Sequence, residues 1–241
     1  MDDLQHYNAQ GRHASQHGDY AAALEAFERA LFIANVQAAD DYQLAQIWHN
    51  IGFAHAGLSH TEDAYAAYNH ALTLYEQFQR DDPEMAIALH NKGRLLQRQG
   101  DQKQAWDYLT AALEMWKRVI TSTEQADYVS HLAASLYACG EIMAAEGKYA
   151  PARRNFEQAL DLREHSLASN HADIAVNLAS LGMLCRIQGD KTAAREYLQR
   201  ALGLHVAGLG SDHHVVQELR TALAELDRPL RSAWWQRFRK K

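Results

Sequence analysis

Five copies of one spacing run through this chain, and any fold it adopts must accommodate them. Each copy reads Gly, seven residues on Gly, two on an aromatic, three on Ala, four on a large apolar residue, three on Ala. Gly140, Gly147, Tyr149, Ala152, Phe156 and Ala159 match in full, as do Gly11, Gly18, Tyr20, Ala23, Phe27 and Ala30. Looser copies are Gly52, Ser59, Thr61, Ala64, Tyr68 and Ala71, then Gly93, Gly100, Gln102, Ala105, Leu109 and Ala112, then Gly182, Gly189, Lys191, Ala194, Leu198 and Ala201. Nine of the 13 glycines fall on these positions, which chance would not arrange. Steps of three and four put the Ala, aromatic and Ala residues on one helix face. The second glycine sits where a helix ends in a left-handed residue. Each copy is therefore two helices joined by a tight turn, with an apolar face that one unit cannot bury alone. Neighbouring copies must stack to bury it.

The first glycines stand at 11, 52, 93, 140 and 182, giving steps of 41, 41, 47 and 42. The extra residues fall after the last Ala, lengthening the second helix and its link to the next copy. Asp82-Pro83-Glu84 predicts a capped helix start with proline in the first turn. Asn170 with Asp173, and Ser211 with Asp212, are expected to cap the helices that follow them. The pattern resembles the tetratricopeptide repeat, a helix–turn–helix unit with a period of about 34 residues. Steps near 42, with the segments LREHSLASNHADIAVNLASLGMLCRIQGD and LGLHVAGLGSDHHVVQELRTALAEL, look like the kinesin-light-chain type. HEAT arrays have a similar period, but the Gly-Gly-Ala-Phe-Ala order decides against them. The resemblance implies an all-α, right-handed α-solenoid. Its repeats would span residues 4–37, 45–80, 86–121, 133–168 and 175–208, with a capping helix at 212–226 and a separate tail at 227–241.

Composition narrows the function. The chain is 47% hydrophobic and 22% charged, and no apolar run approaches a membrane span. The start MDDLQHY is acidic and polar, so a cytoplasmic location is expected. Net charge is −6, although the last fifteen residues carry six Arg/Lys and one Asp. The body is thus strongly acidic, which argues against nucleic-acid binding. Cys139 and Cys185 lie in apolar helical stretches and read as buried free thiols. No nucleophile elbow, phosphate loop or HExxH is present, so neither catalysis nor a cofactor is expected. His13 and His17 share a helix face and His213-His214 are adjacent, but neither pair has a third ligand nearby, so no metal site is expected.

In the family resembled, the first helix of each repeat lines a concave groove. With Trp48, Ile51, Gly52 and His55 packed inward, the remaining face of repeat two holds His49, Asn50, Phe53 and Gly57. The same offsets select Asn8, Arg12 and Gln16 in repeat one and His90, Asn91, Arg94, Gln97 and Arg98 in repeat three. They select Tyr137, Glu141 and Ala144 in repeat four, and Ser180, Met183, Arg186 and Ile187 in repeat five. Asn50 and Asn91 stand where peptide-binding members of the family hold a ligand's backbone amide, and an amide side chain both donates and accepts. Arg12, Arg94, Arg98 and Arg186 suit carboxylates, because a guanidinium forms two parallel charge-assisted bonds. The expectation is a protein-interaction scaffold whose groove holds an acidic peptide or partner segment. Repeats two and three would contribute most charge and repeat four least. Alternatives are a peptide-sensing regulator that changes superhelix pitch, or a membrane-peripheral assembly factor. The latter would use the tail residues Trp234, Trp235, Arg237 and Phe238, which share a basic aromatic stretch.

Overall fold

A computed structural model describes residues 3–78, 81–122, 127–166, 168 and 171–226. The described residues contain eleven α-helices and no strand. They divide into two compact units, residues 1–124 and 125–241. The first holds α1 (Asp3–Gln16), α2 (Tyr20–Val36), α3 (Asp41–Gly57), α4 (Thr61–Glu76), α5 (Pro83–Gln99) and α6 (Gln102–Ser122). The second holds α7 (Asp127–Ala145), α8 (Tyr149–Ser166), α9 (Ala172–Ile187), α10 (Lys191–Leu209) and α11 (His214–Ala224). The helices pair as α1–α2, α3–α4, α5–α6, α7–α8 and α9–α10, one pair per copy of the spacing. Residues 227–241, and with them Trp234, Trp235, Arg237 and Phe238, lie outside the described residues.

Within each pair one contact recurs. A Cβ added to Gly11 would lie 2.4 Å from the Phe27 ring, and one on Gly140 would lie 2.7 Å from Phe156. Gly52 meets Tyr68 in the same way, Gly93 meets Leu109, and Gly182 meets Leu198. The bare glycine backbone lets the large residue of the second helix lie flat against the first. The flanking Ala152 and Ala159 are fully buried beside Phe156, and the equivalent alanines of every pair are equally buried. Each large side chain so buried stabilises its pair by about 1.5–3 kcal/mol.

The turns follow the sequence closely. Gly18, Gly100, Gly147 and Gly189 all have positive φ, and a side chain there would meet open space, so the backbone conformation itself demands glycine. Repeat two places Ser59 at that position, and it adopts φ 63° regardless. Asp19, Asp40, Asp82 and Asp190 cap their helices through side-chain oxygens, and Asp101 accepts from the Gln104 amide in the same way. Asp82 accepts from the amides of both Glu84 and Met85. Two caps differ from expectation. His171, rather than Asn170, caps α9, and His213, rather than Ser211 or Asp212, caps α11. In both, the imidazole Nδ1 accepts from the amide two residues on, which requires the neutral ring. Asn170 itself lies outside the described residues. The second helices run on past their last alanine, α6 as far as Ser122 and α10 as far as Leu209, which absorbs the long period.

In the second unit, α11 packs on α10 and closes the array. Its Leu219 and Ala222, with Leu226 just beyond, join the core formed by Leu181, Met183, Leu184, Cys185 and Leu198. Cys139 and Cys185 are buried free thiols, and burial pushes the Cys185 thiol up to about 11. Among the described residues no helix is long and apolar enough to cross a membrane.

The recurring glycine contact predicts an energetic coupling. Gly140→Ala should cost about 1–3 kcal/mol by overpacking, and Phe156→Ala about 3–5 kcal/mol by leaving a cavity. In urea unfolding the double variant should lose clearly less than the two single losses combined, because removing the ring also removes the clash.

Candidate functional site

In the first unit α3 touches both α1 and α5, so the three first helices of the unit lie side by side. Asn91, Arg94 and Arg98 follow one another along α5 at steps of three and four, on a single stripe. Arg98 is exposed, while Asn91 and Arg94 are half-buried. Arg94 donates from Nη1 to Gln97 Oε1 at 2.7 Å, which braces its guanidinium along the helix. On α1, Arg12 is exposed and Asn8 half-buried. The charge of Arg12 reaches Glu84 at the start of α5 and partly offsets the rise in the Glu84 pKa, which comes mainly from burial and then from Asp82. His90 and Asn50 are half-buried, and Phe53 is exposed with its ring edge-on to Tyr20 at 6.0 Å.

His49 departs from its expected place on the open face. It is buried, 5.9 Å from the Tyr68 ring, because Tyr68 spreads over Gly52 one turn further along α3. The Asn91 amide donates from Nδ2 to His49 Nε2 at 3.0 Å, tying α3 to α5. That bond fixes the neutral ring with its proton on Nδ1, and burial pushes its pKa down to about 4. One of the two Asn91 N–H donors is therefore spent on packing. Gly57 also serves packing, since a Cβ there would lie 2.4 Å from the Tyr20 ring.

The second unit departs further. Met183 and Arg186, expected on the open face, are both buried. Met183 belongs to the core that α11 completes. Arg186 donates from Nη2 to the Glu225 carbonyl at 3.1 Å, binding α9 to the end of the capping helix. The physical reason is the cap. The offsets treat every repeat as internal, but the last first-helix is covered by α11. Ala144 is buried as well. Tyr137 is half-buried, and its hydroxyl meets Ser180 Oγ at 2.8 Å, joining α7 to α9. The Arg163 guanidinium lies 4.9 Å from the Tyr137 ring centre and donates to the Asp173 carbonyl.

Two buried cations escaped the sequence reading. Arg163 is one. The other is Lys92, whose ammonium donates to Asn69 Oδ1 and to Tyr108 OH and lies over the Tyr65 and Tyr108 rings at 4.7 and 4.0 Å. Burial lowers its pKa. A signal existed. Lys92 precedes the first glycine of its repeat, where Ile51, Cys139 and Leu181 stand in theirs and are all buried. A charged residue in an apolar register announces a built-in polar site.

The His49 shift has a pH consequence. Between pH 6.5 and about 4 the unfolded imidazole binds a proton that the folded one refuses. Stability from this site is thus present above pH 6.5 and is lost as pH falls towards 4, by up to about 3 kcal/mol. Melting curves across that window should therefore flatten in His49→Gln relative to the parent chain.

Comparison with known proteins places these helices in a family. The tetratricopeptide repeat model matches residues 43–118 and 131–205. Photosystem I assembly protein Ycf3 from Rippkaea orientalis is 28% identical over 114 residues, which are 47% of this chain and 64% of that protein. The chain thus spans less than two thirds of that relative's length. A kinesin light chain structure with TPR-like repeats from Podosopora anserina superposes with a TM-score of 0.65 at 17% identity, covering 86% of this chain and 96% of the other. A Rap protein complexed with Competence and Sporulation Factor superposes at 0.69 with 18% identity, covering 93% and 64%. Identities this low speak to the fold alone. The repeat model, by contrast, matches more than half of the 241 residues, and the chain belongs to the tetratricopeptide repeat family.

Proposed function

We propose that this chain is a non-enzymatic protein-interaction module whose first unit holds an acidic partner segment along α1, α3 and α5. The observation that carries this reading is the polar stripe of α5, where Asn91, Arg94 and Arg98 follow in register, with exposed Arg12 on α1 as a further cation. Asn91 keeps its carbonyl oxygen and second N–H for a partner's backbone while its first N–H steadies His49. A hydrogen-bonded amide held by a buried partner loses little side-chain entropy on binding, which favours affinity. Arg94, braced by Gln97, and Arg98 would meet carboxylates through charge-assisted bonds. Asn8, Asn50, Phe53 and His90 complete the contact surface, Phe53 as its apolar element. Met183 and Arg186 are left out of the surface because they are buried, and Tyr137 serves the second unit chiefly as a packing residue.

Two similarities support an interaction role. The Ycf3 relatives are named as assembly proteins, and the Rap neighbour was solved with a second molecule bound. Acidic preference rests on the arginines of this chain and on neither of those proteins.

The test is affinity purification from the native cell, repeated with the double variant Arg94→Glu, Arg98→Glu. Bonds to charged groups contribute about 1.5–3 kcal/mol each, so reversing both should weaken an acidic partner by roughly a hundredfold or more. Added salt should weaken the parent complex in the same direction. Undiminished recovery of the partner by a variant with an unchanged melting temperature would overturn the acidic groove.

A further inference from the structure

The turn of repeat two breaks the pattern at two places. Ser59 stands where repeats one, three, four and five have glycine, yet takes φ 63°. His60 stands at the helix N-cap where repeats one, three and five have Asp19, Asp101 and Asp190, yet makes no capping bond to the helix. Elsewhere in this chain a histidine N-cap does accept from the backbone, as His171 and His213 show. The His60 ring turns instead to His55 at the end of α3, and their Nδ1 atoms stand 3.4 Å apart. Asp63, in the first turn of α4, brings a carboxylate to the same place. The three ligand atoms lie within 4.8 Å of one another. Among the described residues this is the one group of three such side chains that converges in this way.

We propose that His55, His60 and Asp63 form a binding site for a divalent transition metal of the zinc class, which staples α3 to α4 across their turn. Zinc–nitrogen bonds of about 2.0–2.1 Å in a tetrahedron set two ligand nitrogens about 3.3–3.4 Å apart, which is the spacing of the two imidazoles. Two neutral imidazoles and one carboxylate are a donor set that zinc, cobalt, nickel and copper all accept, and that calcium and magnesium do not favour. The exposed Asp63 carboxylate closes on the ion by side-chain rotation. A helix N-terminus repels a cation, but Glu62 and Asp63 in that first turn carry the opposing negative charge. Three protein ligands leave one position for water or for a donor from a bound partner. His13 and His17 make a poor rival, because His17 Nδ1 already contacts the His13 carbonyl at 2.8 Å.

The site is tested on the full-length chain without a histidine tag, stripped of metal and titrated with Zn²⁺ by calorimetry. Co²⁺ reports ligand geometry by its visible absorption. The parent chain should show one site that is lost, or weakened at least about tenfold, in His60→Ser and in Asp63→Asn. His60→Ser keeps a capping residue, so its fold is expected to survive. Zn²⁺ should raise the melting temperature of the parent and of the double variant His13→Ala, His17→Ala, but not that of His60→Ser. Binding by His60→Ser and Asp63→Asn with the parent's affinity would overturn the proposal, as would a parent chain that takes up no Zn²⁺ at this turn.

Discussion

The contact between a bare glycine on one helix and a large side chain on the next governs this molecule. Gly11 and Phe27, Gly52 and Tyr68, Gly93 and Leu109, Gly140 and Phe156, and Gly182 and Leu198 are five versions of it. Close approach fixes the separation and angle of each helix pair, and the buried alanines on either side lock the register. What remains open in the first unit is part of each first helix. In the first unit the same contact leaves Arg12, Phe53 and Arg98 exposed on the first helices, and the proposed partner surface draws on them. Tyr68 shows how narrow the margin is. A ring laid over Gly52 also reaches His49 and draws it into the interior.

The fold was almost fully legible because the residues that build it recur. Positive φ at Gly18, Gly100, Gly147 and Gly189 and the burial of each second-helix face follow from the spacing, and the Asp82 cap from its Asp-Pro-Glu sequence. The two misplaced caps are a smaller matter. His171 and His213 do what Asp or Ser does elsewhere, through a ring nitrogen that sequence reading does not count as a capping group. The candidate site was legible only in the middle of the array. In α5 the offsets found an exposed or half-buried stripe at Asn91, Arg94 and Arg98. In α9 the same offsets found Met183 and Arg186, which α11 covers. Periodicity describes an internal repeat, and a terminal repeat has a different neighbour.

Charge inside the array has two separable roles. Lys92, Arg163 and Arg186 are buried and each donates to a neighbouring element, so they hold helices together and offer little to a ligand. Removing a partner from such a group costs more than the pair contributes, because the stranded charge stays buried. Arg12 and Arg98 are exposed and free to meet a partner's carboxylate in water, where each contact is weaker and salt-sensitive.

A repeat array is close to a sum of local interfaces, so a departure from the pattern in one unit is borne by that unit and its neighbours. That tolerance is why the informative residues here are the exceptions. Lys92 replaces an apolar residue and acquires a cage of Tyr65, Tyr108 and Asn69. Ser59 and His60 replace glycine and aspartate, and the lost cap leaves an imidazole facing His55. The repeating residues say how the chain packs, and they are shared among its five copies. The substitutions that break the repeat are where one copy differs from the others by more than packing, and Lys92 and His60 each sit beside side chains that give them a specific polar contact.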